Sequence, residues 1–426
     1  MKNRLKSVKV REIVGSPRGR LIAVTGARQT GKSTLLKALL PDYRYVNLDD
    51  PALRAQLLSL PAGQVAAAYP SAIWDEVQKA PEFIDKIKAA HDEWPQTRYV
   101  LSGSSQIRLL KRVRESLAGR VALVELDPLT VVELGSDGAV DSPPPRTSPL
   151  LRLMAAMAHG GDLDVFARDL PPAAELDQHY PQAAAAWDRF VRNGGMPALT
   201  ADGYTDESRR EWLTDYARTY LQRDLADLAS LNALEPFVRV QQVLAARSGY
   251  PVNFSDVARS ASVSSITAKH YLEYLSVSYQ VMVLPPWFRN TEKRLTKMPK
   301  VVMADPGVHR ALLRHYGEPT GHEFESMVTA EVCKQCRAAD MDAQWFHLRT
   351  ADGREVDLLL ELPAGFVAIE VKQATSVSMA DARHLRDLGA LMDKPLLAAL
   401  LVSNQTRITY HPEHKLLCVP AAYLLG

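Results

Sequence analysis

Cysteine is scarce in this chain, three residues among 426. A fold held together by disulfides would need more, so the count points to a reducing compartment. Cys333 and Cys336 form a lone Cys-x-x-Cys in a stretch that reads as helix, and Cys418 stands by itself. Zinc needs about four ligands at suitable spacing, so these read as ordinary packing residues. Long apolar runs are also missing. None reaches the ~18–20 residues of a membrane-spanning helix, and the basic residues 1–11 lack the apolar core of a signal peptide. The expectation is a cytoplasmic protein with no membrane partner. Neither charge is in excess: 51 Lys and Arg stand against 49 Asp and Glu, a net charge of +2. That excludes binding to nucleic acid through bulk charge and leaves only local basic patches. No internal repeat is visible.

What is present is an apolar share of 46% against 23% charged residues, enough to bury a substantial core, and a length that asks for two or three units. Residues 21–25, LIAVT, are a short apolar run ending in a glycine loop, and LLKALL follows at helical spacing: strand, loop, helix. Further strands are expected over 43–48, 71–74 and 98–101, with helices between them such as 82–93. This alternation predicts a mostly parallel sheet covered on both faces, the α/β class. Gly, Ser and Pro dominate 135–150, a linker or excursion before alanine-rich helices that extend to residue 240. Residues 254–276 read as helix, short turn, helix, and 281–286 with the basic stretch up to Lys300 as a small hairpin. A helix over 324–337 precedes strands at 343–348, 356–362, 367–371 and 397–402, with a helix over 379–391 between the last two.

Gly26-Ala27-Arg28-Gln29-Thr30-Gly31-Lys32-Ser33, with Thr34 next, fills every position of the G-x4-G-K-[ST] pattern, after a strand and at the start of a helix. In that context the glycines let backbone N–H groups curl around a phosphate, and the helix N-terminus adds its positive end. ATP is the expected ligand. Lys32 reaches its β- and γ-phosphates, and Ser33 binds Mg²⁺. The competing account is a chance match in a glycine turn, against which the flanking strand and helix argue.

Asp75 closes a later apolar strand and is followed by Glu76. Asp75 is expected to hold the Mg²⁺ and Glu76 to polarise the attacking water; capping the next helix is the alternative. Ser102 and Ser104, in LSGSS, stand where a hydroxyl reaches the γ-phosphate or the water, unless they only cap a turn. Arg120, in ESLAGR, is a candidate arginine finger acting on a neighbouring subunit, which calls for a homo-oligomer; an ordinary surface arginine is the competing account.

Near the C-terminus, EVDLLLE from Glu355, a Pro-Ala-Gly loop at 363–365 and FVAIEVK to Lys372 read as a hairpin. Period two places Glu370 and Lys372 on one face, and the loop sets Asp357 opposite residue 370 or 371. An Asp and an Glu-x-Lys on adjacent strands resemble the restriction-endonuclease-like PD-(D/E)xK signature. Two carboxylates would hold Mg²⁺ against a phosphodiester while Lys372 orients the water, and Glu325, on the preceding helix, matches the extra acidic residue often found there. Charged residues on an exposed sheet face are the plain alternative. In the helix-turn-helix, Thr267, Lys269 and His270 would face a groove, and Arg289, Lys293, Arg294, Lys297 and Lys300 would contact phosphates, unless the segment is a packing domain with a solvated basic loop.

The stretches beginning at Val24, Ile73, Leu101 and Glu115, with Gly194-Gly-Met-Pro, Leu221-Gln-Arg-Asp-Leu, Lys297-Met-Pro-Lys, Ala304-Asp-Pro-Gly, Glu355-Val-Asp and Ile369-Glu-Val-Lys, resemble a widespread bacterial and archaeal group of AAA+-type ATPases. Its C-terminal half is generally described only as a domain of unknown function. The likeness covers nearly the whole chain, apart from a longer insertion at 135–185. It implies a P-loop ATPase domain (1–134), a linker and helical segment (135–240), a winged-helix-like segment (241–305) and a nuclease-like α/β end (306–426). The expected function is an ATP- and Mg²⁺-dependent enzyme acting on DNA or RNA. The alternative is an ATP-controlled switch or interaction protein whose nuclease-like end only binds.

Overall fold

The computed structural model describes every residue except 1, 104–116, 118, 139–143, 221–233, 291, 293, 295–296 and 351–352. Ser104, Glu115, Lys293 and the Leu221-Gln-Arg-Asp-Leu stretch lie outside the described residues.

Five strands, β1 (Leu21–Thr25), β2 (Arg44–Asn47), β3 (Ser71–Asp75), β4 (Arg98–Ser102) and β5 (Ala122–Glu125), pair in parallel in the order β2-β3-β4-β1-β5. Period two splits β1 between two cores. Leu21 and Ala23 pack with Trp74, Phe83 and Ile87, while Ile22 and Val24 pack with Val10, Leu36 and Val100. Burial on both faces is why the strand reads as a continuous apolar run. The helix Lys32–Leu39 starts at the end of β1 and covers one face.

In the middle of the chain, helices Phe254–Ala261 and Ser265–Val277 lead into β6 (Val281–Leu284), which pairs antiparallel with β7 (Lys300–Met303). The second strand of this hairpin thus begins where the basic stretch ends. Asn253 and Ser264 cap the two helices with their side chains, and Ser262 turns between them at φ 54°.

The C-terminal sheet has the order β12-β13-β11-β10-β9-β8, from β8 (Gln344–Arg349), β9 (Glu355–Leu362), β10 (Gly365–Lys372), β11 (Leu396–Ser403), β12 (Thr409–His411) and β13 (Leu416–Pro420). Leu362 pairs with Gly365, so the β9–β10 turn is tighter than the expected 363–365 loop, with Gly365 already in the strand at φ 157°. No α-helix forms over 379–391. The backbone bonds Asp381 to Ser378, Arg383 to Ala380 and Leu385 to Ala382 close successive three-residue turns, Asp387 adopts φ 53°, and only Leu388–Leu391 winds into a short 3₁₀ turn.

The helix Gly321–Ala338 is buried along most of its length. Its apolar residues share one core with Leu129, Val131 and Leu134, with the helices Pro149–Ala158 and Tyr180–Asn193, and with one face of the C-terminal sheet. The expected boundaries at 134 and 306 therefore run through a common core rather than between separate ones. Inside it Lys334 pairs with Glu331 at 2.9 Å, both fully buried, and Glu331 also accepts from the Val131 N–H at 2.7 Å. Among the described residues, no helix is long and apolar enough to cross a membrane.

Candidate nucleotide site and C-terminal carboxylate cluster

The loop after β1 turns on three residues at positive φ: Gly26 (152°), Gln29 (62°) and Gly31 (86°). A Cβ at Gly26 would meet the Leu126 carbonyl oxygen at 2.1 Å, so the loop passes β5 at a distance only glycine allows. Thr30 Oγ1 donates to Ala27 O at 2.9 Å, and Arg4 Nη1 to Thr30 O at 2.9 Å. Tyr216 donates to Arg28 O at 3.0 Å, tying the loop to the middle of the chain. The buried Lys32 ammonium donates to Gly26 O (3.0 Å) and Ala27 O (2.7 Å). A buried cation needs such acceptors, and these are weaker partners than phosphate oxygens.

Arg28, Gln29, Gly31, Lys32, Ser33 and Thr34 line a cavity of about 970 Å³, with Asp75 and Glu76 beside them. Pro197, Ala198, Thr200 and Ala201 of the helical middle form part of its wall. Gly26, Ala27 and Thr30, also expected at the nucleotide, do not line the cavity. Ser33 Oγ donates to Asp75 Oδ2 at 2.5 Å, and Tyr45, on β2, donates to the same oxygen at 2.6 Å. Glu76 holds φ 53°, strained for a residue with a side chain, and its carboxylate accepts from Gln78. Burial, with Asp75 next to it, pushes the Glu76 carboxyl above its ordinary range.

Ser102 ends β4 beside Val24, fully buried, with its hydroxyl unpartnered, and it does not line the cavity. Arg120 grips Asp92 at 2.8 and 3.1 Å on the exposed surface. It precedes β5, whereas the loop follows the carboxyl end of β1, so it lies at the opposite end of this parallel sheet.

In the C-terminal unit, Lys372 Nζ donates to Glu370 Oε1 at 2.7 Å, as the strand period predicts. Asp357 Oδ2 accepts from Val371 N at 2.9 Å. Glu325 comes alongside, and its charge, with that of Glu370, bears on Asp357. The centre of the group is taken by Lys300, whose Nζ donates to Glu325 Oε1 and lies 3.3 Å from Asp357 O and 3.5 Å from Asp357 Oδ1. Burial, then Glu325, pushes the Asp357 carboxyl well above its ordinary range, and burial raises Glu370. Among the described residues, no three His, Cys, Asp or Glu side chains are placed to hold a metal ion.

Of the basic patch, Lys300 is 1% exposed and out of reach of a phosphate in solvent, Arg294 is half-buried, and Arg289 and Lys297 are exposed. Arg289 donates to Leu391 O (3.1 Å) and Met392 O (3.0 Å). Arg294 donates to Phe288 O at 2.6 Å and stacks over Phe346. On the helix Ser265–Val277, Lys269 and His270 are exposed and Thr267 is half-buried. Cys333 and Cys336 are buried free thiols, and burial pushes Cys336 up to about 12, so neither is reactive. Sequence patterns single out neither Tyr45 nor Lys300 for these roles, because each acquires its partners from elements distant in the chain.

A family model described as an AAA domain matches residues 18–135. Models described as domains of unknown function match 184–317 (DUF8612) and 320–423 (DUF4143). The chain is 27% identical over 425 residues to the uncharacterized protein Rv2008c of Mycobacterium tuberculosis and, equally, to Mb2031c of Mycobacterium bovis, covering 96% of this chain and 81% of each relative. Among solved structures it is similar to the Walker-type ATPase PABY2304 of Pyrococcus abyssi, at 16% identity and a TM-score of 0.42, over 72% of this chain and 94% of that one. A signal-transduction ATPase with numerous domains, PH0952 of Pyrococcus horikoshii, gives 11% identity and a TM-score of 0.26, over 76% and 47%. Such low scores carry no weight here. The AAA-domain match, the parallel five-stranded sheet and the loop geometry define residues 18–135 as an ATPase-like nucleotide-binding domain.

Proposed function

We propose that this chain binds ATP with Mg²⁺ at the Gly26–Thr34 loop, hydrolyses it, and uses the turnover as a switch on its C-terminal unit. The observation that carries the proposal is the meeting of Ser33, Asp75 and Glu76 beside Lys32 in a cavity of nucleotide size. The donor set fits magnesium, since a hydroxyl and a carboxylate are hard oxygen ligands. Bound there, the metal would neutralise charge on the β- and γ-phosphates. Lys32 exchanges its loop carbonyls for phosphate oxygens. Backbone N–H groups at the start of the Lys32–Leu39 helix hold the remaining charge. Ionised Glu76 takes a proton from the attacking water as its oxygen bonds to the γ-phosphorus and the bond to ADP breaks. Titration calorimetry with a non-hydrolysable ATP analogue tests the site: Lys32→Ala is expected to abolish binding, and unchanged affinity overturns the assignment.

The division into ATPase-like (1–134), helical (135–240), winged-helix-like (241–305) and nuclease-like (306–426) units belongs to the same proposal, as do a cytoplasmic location and a homo-oligomer that presents Arg120 to a neighbour. The two capped helices followed by the β6–β7 hairpin support the winged-helix reading, with Lys269 and His270 as DNA contacts. A second reading, Mg²⁺-dependent cleavage of DNA or RNA using Glu325, Asp357, Glu370 and Lys372, is favoured by one observation: Glu370 Oε2 is buried without a partner. The carboxylates as they stand do not fit a metal, because Lys300 fills the place between them. Incubation with single- and double-stranded DNA and RNA, with Mg²⁺ or Mn²⁺ and with or without ATP, separates the readings. Cutting that Asp357→Ala abolishes supports the nuclease. Binding without cutting, with ATPase intact, supports the switch.

A further inference from the structure

Lys300 is an unusual residue to find in the interior. Its side chain is 1% exposed, it begins the second strand of the β6–β7 hairpin, and it crosses into a pocket built by the C-terminal unit. There it bonds Glu325 and lies within 3.5 Å of Asp357. His322 approaches the other Glu325 oxygen at 3.5 Å, and Lys372 holds Glu370 Oε1 at 2.7 Å. Three carboxylates thus face two ammonium groups, and one oxygen, Glu370 Oε2, is buried with no donor among the described residues. Burying carboxylates without counter-ions is costly, and at the centre of this pocket Lys300 supplies the second cation beside Lys372.

The strand that carries the lysine is also tied to the nucleotide side of the molecule. Two residues beyond β7, Asp305 Oδ2 accepts from Gly195 N at 2.7 Å. A Cβ on Gly194 would meet Asp305 Oδ1 at 2.1 Å. Pro197, Ala198, Thr200 and Ala201, just after this contact, line the nucleotide cavity.

We propose that Lys300 is the resident cation of the Glu325–Asp357–Glu370 pocket and that a divalent metal and the Lys300 ammonium exclude each other there. The inference rests on the nuclease-like reading for the ligand set alone and requires no cleavage. Metal binding is therefore measured without ATP or nucleic acid, so that absent cutting and absent metal exclusion are told apart.

The probe is Mn²⁺, followed by the loss of its free-ion paramagnetic resonance signal on adding the full chain. Every sample carries Asp75→Asn, which silences the loop site. The Asp75→Asn chain is expected to bind no Mn²⁺ at the C-terminal pocket. Adding Lys300→Met is expected to create one Mn²⁺ site per chain, and adding Asp357→Asn to that to remove it. A folded Lys300→Met chain that gains no Mn²⁺ overturns the proposal. So does an Asp75→Asn chain that already binds an Mn²⁺ which Asp357→Asn removes. If Lys300→Met does not fold, Lys300→Met/Glu325→Gln removes one charge of each sign and leaves Asp357 and Glu370 as ligands. The same gain and the same loss are then expected, and their absence rejects the exclusion.

Discussion

The Tyr45 hydroxyl donates to Asp75 Oδ2 at 2.6 Å, the same oxygen that accepts from Ser33 at 2.5 Å. Were Ser33 to turn to a metal, Tyr45 would still hold the carboxylate; the Lys37 ammonium lies 3.5 Å from its ring centroid. Tyr45→Phe removes one hydrogen bond to a charged acceptor, worth ~1.5–3 kcal/mol. The expected result is a higher Mg²⁺ requirement for ATPase activity, with nucleotide affinity in EDTA unchanged. A titration of turnover against Mg²⁺ checks it, and an unshifted midpoint removes Tyr45 from the site.

Glu76→Gln is expected to leave ATP bound and to slow hydrolysis by ~10²–10⁴. Burial and Asp75 raise the Glu76 carboxyl above its ordinary range. Below that raised value the group is protonated and cannot accept a proton. Turnover should therefore fall on acidification at a higher pH than an exposed glutamate would dictate. The limb should be missing from the residual activity of Glu76→Gln. Wild-type and variant pH–rate profiles measure both effects, and turnover within twofold of wild type would exclude Glu76 as the base.

Arg120→Ala is expected to lower turnover without weakening ATP binding, and to do so only where the chain self-associates. Its ion pair with Asp92 lies at the end of the sheet away from the loop, so action within one chain is excluded by geometry. Light scattering in the presence of ATP and Mg²⁺, paired with turnover, tests this. A monomer with full activity rules out an arginine supplied by a neighbour.

Lys334→Met leaves the fully buried Glu331 carboxyl without its counter-ion, and breaking such a pair costs ~3–5 kcal/mol. Thermal unfolding should show a large drop in midpoint. Glu331→Gln/Lys334→Met should recover much of it, since it buries no lone charge. A single variant as stable as wild type would mean the pair contributes no stability.

The nucleotide loop was legible because its signals are local. A strand, a glycine-rich turn and a helix start lie within fifteen residues or so of chain, and backbone sterics tie glycine to the turns at Gly26 and Gly31. The four expected strands fall within a residue or two of β1 to β4; for β1, β3 and β4 burial on both faces leaves an unbroken apolar signature, while β2 lies at the sheet edge. The hairpin pairing of Glu370 with Lys372 follows from period two alone. The helix expected over 379–391 failed for the opposite reason. Its composition allows a helix, and packing of Ala382, Leu385 and Leu388 against the sheet selected turns instead.

Sequence by itself determined that this chain carries an ATPase-like domain, since loop chemistry, strand periodicity and glycine spacing are written along neighbouring residues. Tertiary structure alone decided where the charges went. Lys300 and Asp357 are 57 positions apart, and Tyr45 and Asp75 are 30. Only the packing of β7 against the helix Gly321–Ala338, which also packs on β9, and the pairing of β2 with β3 bring them together. A lysine in a basic stretch and a lysine that fills a carboxylate pocket look alike in sequence. The difference is desolvation: once the helix Gly321–Ala338 and β9 close around it, the ammonium must find carboxylates or lose its charge.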